Sequence, residues 1–163
     1  MNDYVFFVSY LDVNPENDYS TALCIEIRGA STESGALLQT FPRKPNCYDN
    51  QLWKLDPSGQ TTSGGGPWNF IRSKQSDKFV ITINGQSLEV SAQKTPDDPD
   101  LDNQLWAVSP PLPVKDPNDN AWSYIQNKNG NVISIKGSSP KAAQPLELDT
   151  PIAGDNQLWS AQG

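Results

Sequence analysis

Asp49-Asn50-Gln51-Leu52-Trp53 decides how this chain is read, because the same five residues return as Asp102–Trp106 and Asp155–Trp159. Both intervals are 53 residues in a chain of 163. An identical pentapeptide at equal spacing does not arise by chance in so short a sequence. An internal period of about 50 residues marks a repeat architecture, whose units cannot bury their apolar faces alone. Three such units nearly fill the chain, so the expected object is closed and threefold.

Working outward, each pentapeptide is preceded by an alternating stretch that ends in glycine. These are Cys24-Ile25-Glu26-Ile27-Arg28-Gly29, Val80-Ile81-Thr82-Ile83-Asn84-Gly85 and Val132-Ile133-Ser134-Ile135-Lys136-Gly137. The isoleucine pairs fall in register across all three. Further upstream, an aromatic residue opens another apolar stretch: Tyr4-Val5-Phe6-Phe7, Trp68-Asn69-Phe70-Ile71 and Trp122-Ser123-Tyr124-Ile125. A third stretch lies between the glycine and the pentapeptide, at Ala36 to Phe41, Ser87 to Ser91 and Pro145 to Asp149. The Gln-Leu-Trp segment is the fourth. All are short, rich in Val, Ile and aromatics, and bounded by turn residues, the pattern of β-strands. No segment keeps helical periodicity for ten residues.

Four strands in each of three units give twelve. Twelve short antiparallel strands about a pseudo-threefold axis predict an all-β chain, a β-trefoil. A three-bladed propeller is disfavoured, since propellers typically have 4–8 blades. One domain over residues 1–163 is expected, with repeats at about 1–56, 67–109 and 120–163. The joints are Asp56 to Pro67, containing Gly64-Gly65-Gly66, and Ser109 to Asn120, containing Pro110-Pro111 and Pro113. About ten extra residues in the first repeat, around Asp12 to Tyr19, read as a surface loop.

Composition narrows the function. The net charge is −7 and there is no basic run, which argues against nucleic acid and anionic membranes as partners. No apolar stretch approaches the ~20 residues that span a bilayer. The start Met1-Asn2-Asp3 lacks the basic flank of a secretory signal, so a cytoplasmic location is expected, with release only by another route. The chain has no histidine, which removes Ser-His-Asp and Cys-His catalysis and most catalytic zinc sites. Cys24 and Cys47 are too few for a disulfide scaffold; a pairing between them stays open beside two free thiols. No catalytic residues, no metal and no cofactor are expected.

The pentapeptide has a physical logic. Trp supplies a large apolar body, and its indole N–H needs a buried acceptor. Gln, two residues earlier, shares its face if the segment is a strand, and its amide can satisfy backbone groups at a turn. Asp and Asn suit the preceding turn. All three copies therefore read first as architecture.

Three Gln-x-Trp repeats at this spacing resemble the ricin-B-type (R-type) lectins, and in detail the small single-domain fungal agglutinins of that group. The resemblance covers the whole chain. It implies a β-trefoil that binds galactose or N-acetylgalactosamine in shallow pockets, at most one per repeat. Such a pocket has an Asp on the second strand, an aromatic under the apolar face of the sugar, and amides completing the hydrogen bonds. Carried onto this sequence, the first repeat fits best. Gln39-Thr40-Phe41 stands for the family's Gln-x-aromatic, Asn50 and Gln51 follow at the family's spacing, and Lys44 lies where some members place a cation. The chain departs from the family at Glu26, which stands one methylene longer than the expected Asp. The second and third repeats have Thr82 and Ser134 there and no aromatic near Ala92 or Thr150, so degenerate pockets with structural Asn103 and Asn156 are expected. The resemblance implies glycans ending in galactose or N-acetylgalactosamine as partners, and a homodimer where a single competent site must cross-link.

A reading from another class is a β-trefoil protease inhibitor or defence protein. It would act through Asp12 to Tyr19, or through Pro110 to Asp116 with Lys115 as a basic anchor. Asp97-Asp98-Pro99-Asp100-Leu101-Asp102 lacks the turn glycine and terminal Glu of a calcium loop and reads as a solvated acidic loop. Gly64-Gly65-Gly66 lacks the Lys-Ser/Thr of a phosphate loop. Nothing places two carboxylates face to face as in a glycosidase.

Overall fold

The computed structural model describes residues 3–12, 22–44, 48–116 and 118–163. The described residues form twelve strands: β1 Phe6–Ser9, β2 Leu23–Ile27, β3 Ala36–Pro42, β4 Trp53–Thr61, β5 Pro67–Ser73, β6 Phe79–Asn84, β7 Ser87–Ala92, β8 Trp106–Val108, β9 Ile125–Asn127, β10 Val132–Ile135, β11 Leu146–Asp149 and β12 Trp159–Gln162. The helical residues among them form only short 3-10 turns.

The strands divide into two layers. β1 pairs with β12, β4 with β5, β5 with β8 and β8 with β9, all antiparallel. The bridges Val5↔Trp53 and Ser123↔Trp159 close these six strands into a ring. The hairpins β2–β3, β6–β7 and β10–β11 cap one end. They meet one another where β3 pairs with β7, β7 with β11, and Gln39 bridges Pro145. A six-stranded barrel closed by three hairpins is the β-trefoil.

The repeated residues build this object. Trp53, Trp106 and Trp159 lie in one core cluster with the paired isoleucines of β2, β6 and β10. Their indole N–H groups donate to Ile25 O, Ile81 O and Ile133 O at 3.0, 3.1 and 3.0 Å. Each indole removes roughly 200 Å² from water, or about 5 kcal/mol at about 25 cal/mol per Å², and leaves no buried indole donor unpaired. The glycine closing the second strand of each repeat is needed for its backbone: Gly29, Gly85 and Gly137 have φ of 62°, 64° and 72°, a left-handed conformation that costs other residues roughly 1–2 kcal/mol.

Two local expectations are corrected. The fourth strand does not include the glutamine of Gln-Leu-Trp, which belongs to the turn expected of Asp and Asn. Asp49–Gln51, Leu101–Gln104 and Asp155–Gln157 are 3-10 turns, and each strand starts at the tryptophan. The turn ends at the glutamine, and Leu52, Leu105 and Leu158 are already extended and lead into the strand. The first joint is also mostly strand: β4 runs to Thr61 and pairs with β5, with a register shift between Pro57 and Thr61 that accommodates the proline. Only Thr62 to Gly66 turns the chain.

Candidate functional site

The glutamines of the three turns make equivalent bonds. Each side-chain carbonyl accepts one backbone N–H, from Lys44, Lys94 or Ile152, at 3.0, 2.8 and 2.9 Å. Each amide donates to a carbonyl at the end of the third strand: Pro42 O, Ala92 O or Thr150 O. Asn50 and Asn156 likewise donate to Ile27 O and Ile135 O. These contacts clamp the end of each cap hairpin to the barrel.

The repeats differ at the second-strand position that faces the glutamine. In the first repeat Gln51 Nε2 also donates to Glu26 Oε1 at 3.0 Å. In the second, Gln104 Nε2 donates to Thr82 Oγ1 at 3.1 Å. In the third, Ser134 Oγ is buried with no partner among the described residues.

Around Glu26 the first repeat assembles a polar chain beside aromatic rings. Glu26 is 3 % exposed. Gln39 lies opposite it on β3 and donates Nε2–H to Oε2 at 2.8 Å. Arg28 Nε donates to Gln39 Oε1 at 3.1 Å. Lys44 Nζ stands 3.9 Å from Glu26 Oε1. It also lies 5.1 Å from the Phe41 ring centroid and 4.9 Å from that of Tyr48, within cation–π range. A buried carboxylate needs this company, since an isolated buried charge is very costly. Each of its oxygens has one amide donor, which leaves a further lone pair on each. Phe41 is partly buried and Tyr48 half exposed.

Glu26, Gln39, Phe41, Lys44 and Gln51 thus converge on one spot, whereas the Asn50 amide is turned away to Ile27 O. Arg28 and Tyr48 belong to the cluster too. Arg28 was accessible from sequence, being two residues beyond Glu26 and so on its side of the strand. Tyr48 comes from a loop whose path no periodicity encodes.

Strand register identifies the counterparts of Phe41 as Ser91 and Asp149, each one residue before Ala92 and Thr150. Gln39 corresponds to Glu89 and Glu147. The second and third repeats therefore exchange a buried carboxylate and an aromatic rim for a hydroxyl and an acidic rim.

Cys24 sits in the same hairpin, on β2 opposite Phe41, and donates its S–H to Phe41 O at 3.5 Å. Burial first, and the neighbouring Glu26 second, push its thiol pKa far above the ordinary value. Cys47 lies outside the described residues, and with it the question of a pairing. Of the acidic loop, Thr95 Oγ1 donates to Asp97 Oδ1 and Asp102 pairs with Lys128. Among the described residues no three His, Cys, Asp or Glu side chains are grouped to hold a metal ion. No helix there is long and apolar enough to cross a membrane.

The fold sets the chain among β-trefoil structures. A designed threefold-symmetric protein, ThreeFoil, superposes with a TM-score of 0.71 at 17% identity, over 99% of both chains. The C-half of an earthworm R-type lectin, solved with N-acetylgalactosamine, gives 0.64 at 22% identity, over 99% of this chain and 98% of its own. The Rhizoctonia solani agglutinin gives 0.65 at 17% identity, over 99% and 96%. No family model matches the chain, and no curated protein matches it in sequence.

Proposed function

We propose that this chain is a non-catalytic carbohydrate-binding protein, a lectin, that takes a terminal galactose or N-acetylgalactosamine at its first repeat. The observation that carries the reading is that, among the described residues, only the first repeat sets a carboxylate and two amides beside an aromatic on the same strand face. Phe41 would lie against the apolar C–H face of the sugar. Glu26, with one lone pair left per oxygen, would accept its hydroxyls, while Gln39, Gln51 and Lys44 orient the carboxylate. Asn50 holds the turn beneath. The likeness in fold to two lectin structures supports the class of ligand.

In this reading Lys44 is a cover. Its ammonium rests on Phe41 and must swing aside, at which point it can donate to a sugar oxygen. Binding per site is weak: at about 0.3 kcal/mol per non-hydrogen atom a monosaccharide gains roughly 4–5 kcal/mol, a Kd near ~1 mM. Cross-linking of cell-surface glycans by a chain with one such site requires a homodimer, whose avidity would exceed either site alone. The reading calls for no cofactor, nucleic acid or membrane insertion.

Calorimetry with N-acetylgalactosamine and lactose tests it. The wild-type chain should bind, and Phe41→Ala should lose about tenfold in affinity, the value of about 1–1.5 kcal/mol of ring contact. Folded protein that takes up neither sugar refutes the proposal.

The inhibitor reading has no comparable support. Leu112 and Val114 pack on an outer apolar cluster, and Tyr10 donates its hydroxyl to Lys115 O. The segment is strapped down rather than projecting. Of the other proposed loop, residues 13–19 lie outside the described residues.

A further inference from the structure

An aromatic residue holds one equivalent position at or just before the first strand of each repeat. Val5, Asn69 and Ser123 each pair with the tryptophan of a pentapeptide, so Tyr4, Trp68 and Trp122 correspond. Two of these aromatics differ sharply in their cover.

Trp122 is sealed. It is 1 % exposed. The strap after β8 folds back over it, with Leu112 N donating to Trp122 O and Leu112 and Val114 joining its apolar cluster. Asp116 Oδ2 accepts its indole N–H at 2.8 Å, and the Tyr10 ring packs edge-on at 5.0 Å. The niche over this aromatic is thus satisfied by two things, an apolar cover and an acceptor for the indole.

Trp68 has neither. Where the third repeat has the strap, the second has the tight hairpin turn Thr62 to Gly66. Where Tyr10 packs on Trp122, register places Lys128, which is engaged with Asp102 and Gln60 instead. What is left is an open cleft of about 310 Å³ lined by Trp68, Val108, Pro110, Thr62, Ser63 and Gln126, among others. No described residue accepts the Trp68 indole N–H, and that nitrogen is not among the buried unpaired atoms, so solvent reaches it. Gln126 uses its amide on Gly130 O and keeps its carbonyl oxygen.

We propose that the Trp68 cleft is a second binding site, for a neutral pyranoside, separate from the Glu26 cluster. The lining decides the chemistry. None of its residues is ionisable, so nothing there compensates a phosphate, a carboxylate or a basic peptide. An indole wall beside two hydroxyls, an amide oxygen and a free N–H suits a ligand with one C–H face and an edge of hydroxyls. The volume is at the lower end of ligand pockets, about 300–1,000 Å³, which fits one or two sugar rings. The strap over Trp122 shows the competing occupant, an apolar peptide ending in a carboxylate.

The test is a nitrogen–proton correlation spectrum of the labelled chain, with the Trp68 indole signal assigned by its absence in Trp68→Phe. Methyl galactoside, lactose, cellobiose and chitobiose are titrated separately, as is a synthetic Pro-Pro-Leu-Pro-Val-Lys-Asp peptide. At least one saccharide should shift the Trp68 indole signal together with the Ser63 and Val108 amides. Those amide shifts should vanish in Trp68→Ala and weaken severalfold in Trp68→Phe, which keeps the ring and loses the donor. They should persist in Phe41→Ala, which separates this site from the first-repeat proposal whatever becomes of that one. Saccharides that leave the Trp68 signal still overturn the assignment, as does a response to the peptide alone or one lost in Phe41→Ala.

Discussion

The three pentapeptide glutamines offer an experiment with its own controls, because one residue type occupies one position three times with a graded set of partners. Gln157 is fully buried and makes two bonds, from Ile152 N and to Thr150 O. Ile152 is 74 % exposed, so water can reach these groups once the side chain is removed. Gln104 makes the equivalent two and a third to Thr82 Oγ1. Gln51 makes the equivalent two and a third to the buried Glu26 carboxylate. Leaving a buried polar group unpaired costs about 1–3 kcal/mol, and more for a charged one. Gln157→Ala should therefore cost about 2 kcal/mol, Gln104→Ala about 3 and Gln51→Ala about 4. In a chain of this size 1 kcal/mol moves Tm by about 2–4 °C, so the losses should run from about 4–8 °C to about 8–16 °C. Urea unfolding gives the free energies directly, provided the slope m is unchanged among the variants. Equal losses for all three, or the largest at Gln157, would refute the assignment of the extra cost to Glu26 and Thr82.

Glu26→Gln should destabilise by about 1–3 kcal/mol, because an amide N–H₂ then faces either the Gln39 or the Gln51 donor; urea unfolding checks it, and calorimetry with N-acetylgalactosamine should show weaker binding. In a Cys47→Ser chain the Cys24 thiol should resist a disulfide reagent until denaturant is added. Because burial raises its pKa in the folded state, the unfolded chain alone releases the proton above about pH 8.5. The free energy of unfolding should then fall by up to about 1.4 kcal/mol per pH unit between about pH 8.5 and 10, relative to a chain that also carries Cys24→Ala. Gly137→Ala should cost about 1–2 kcal/mol through its left-handed φ, with open space for the added methyl; thermal unfolding reads it as a drop of a few degrees.

The fold was legible because its signals are periodic. Ile25 and Ile27, Ile81 and Ile83, and Ile133 and Ile135 alternate as strands do, and the glycine after each pair announces the left-handed turn. The pentapeptide's own conformation was not legible. Three residues are too few to show a period, and Asp-Asn-Gln suits a 3-10 turn as well as a strand end. Most members of the cluster around Glu26 were legible through the family resemblance, while the register that sets Gln39 opposite Glu26 and Phe41 two places on is seen only in the fold. The seat of Lys44 between Phe41 and Tyr48 depends on a loop path that no alternation encodes. The contrast between Trp68 and Trp122 was equally hidden, since both open an apolar stretch of sequence and only the folded strap distinguishes them.

A crystal of the chain soaked with N-acetylgalactosamine tests the central proposal most directly. A sugar ring should lie on Phe41, with hydroxyls on Glu26 and the Lys44 ammonium drawn off the aromatic face. A ring bound at Thr82 or Ser134 instead, or a Phe41 still covered by Lys44 with no sugar over it, would rule out the first-repeat site.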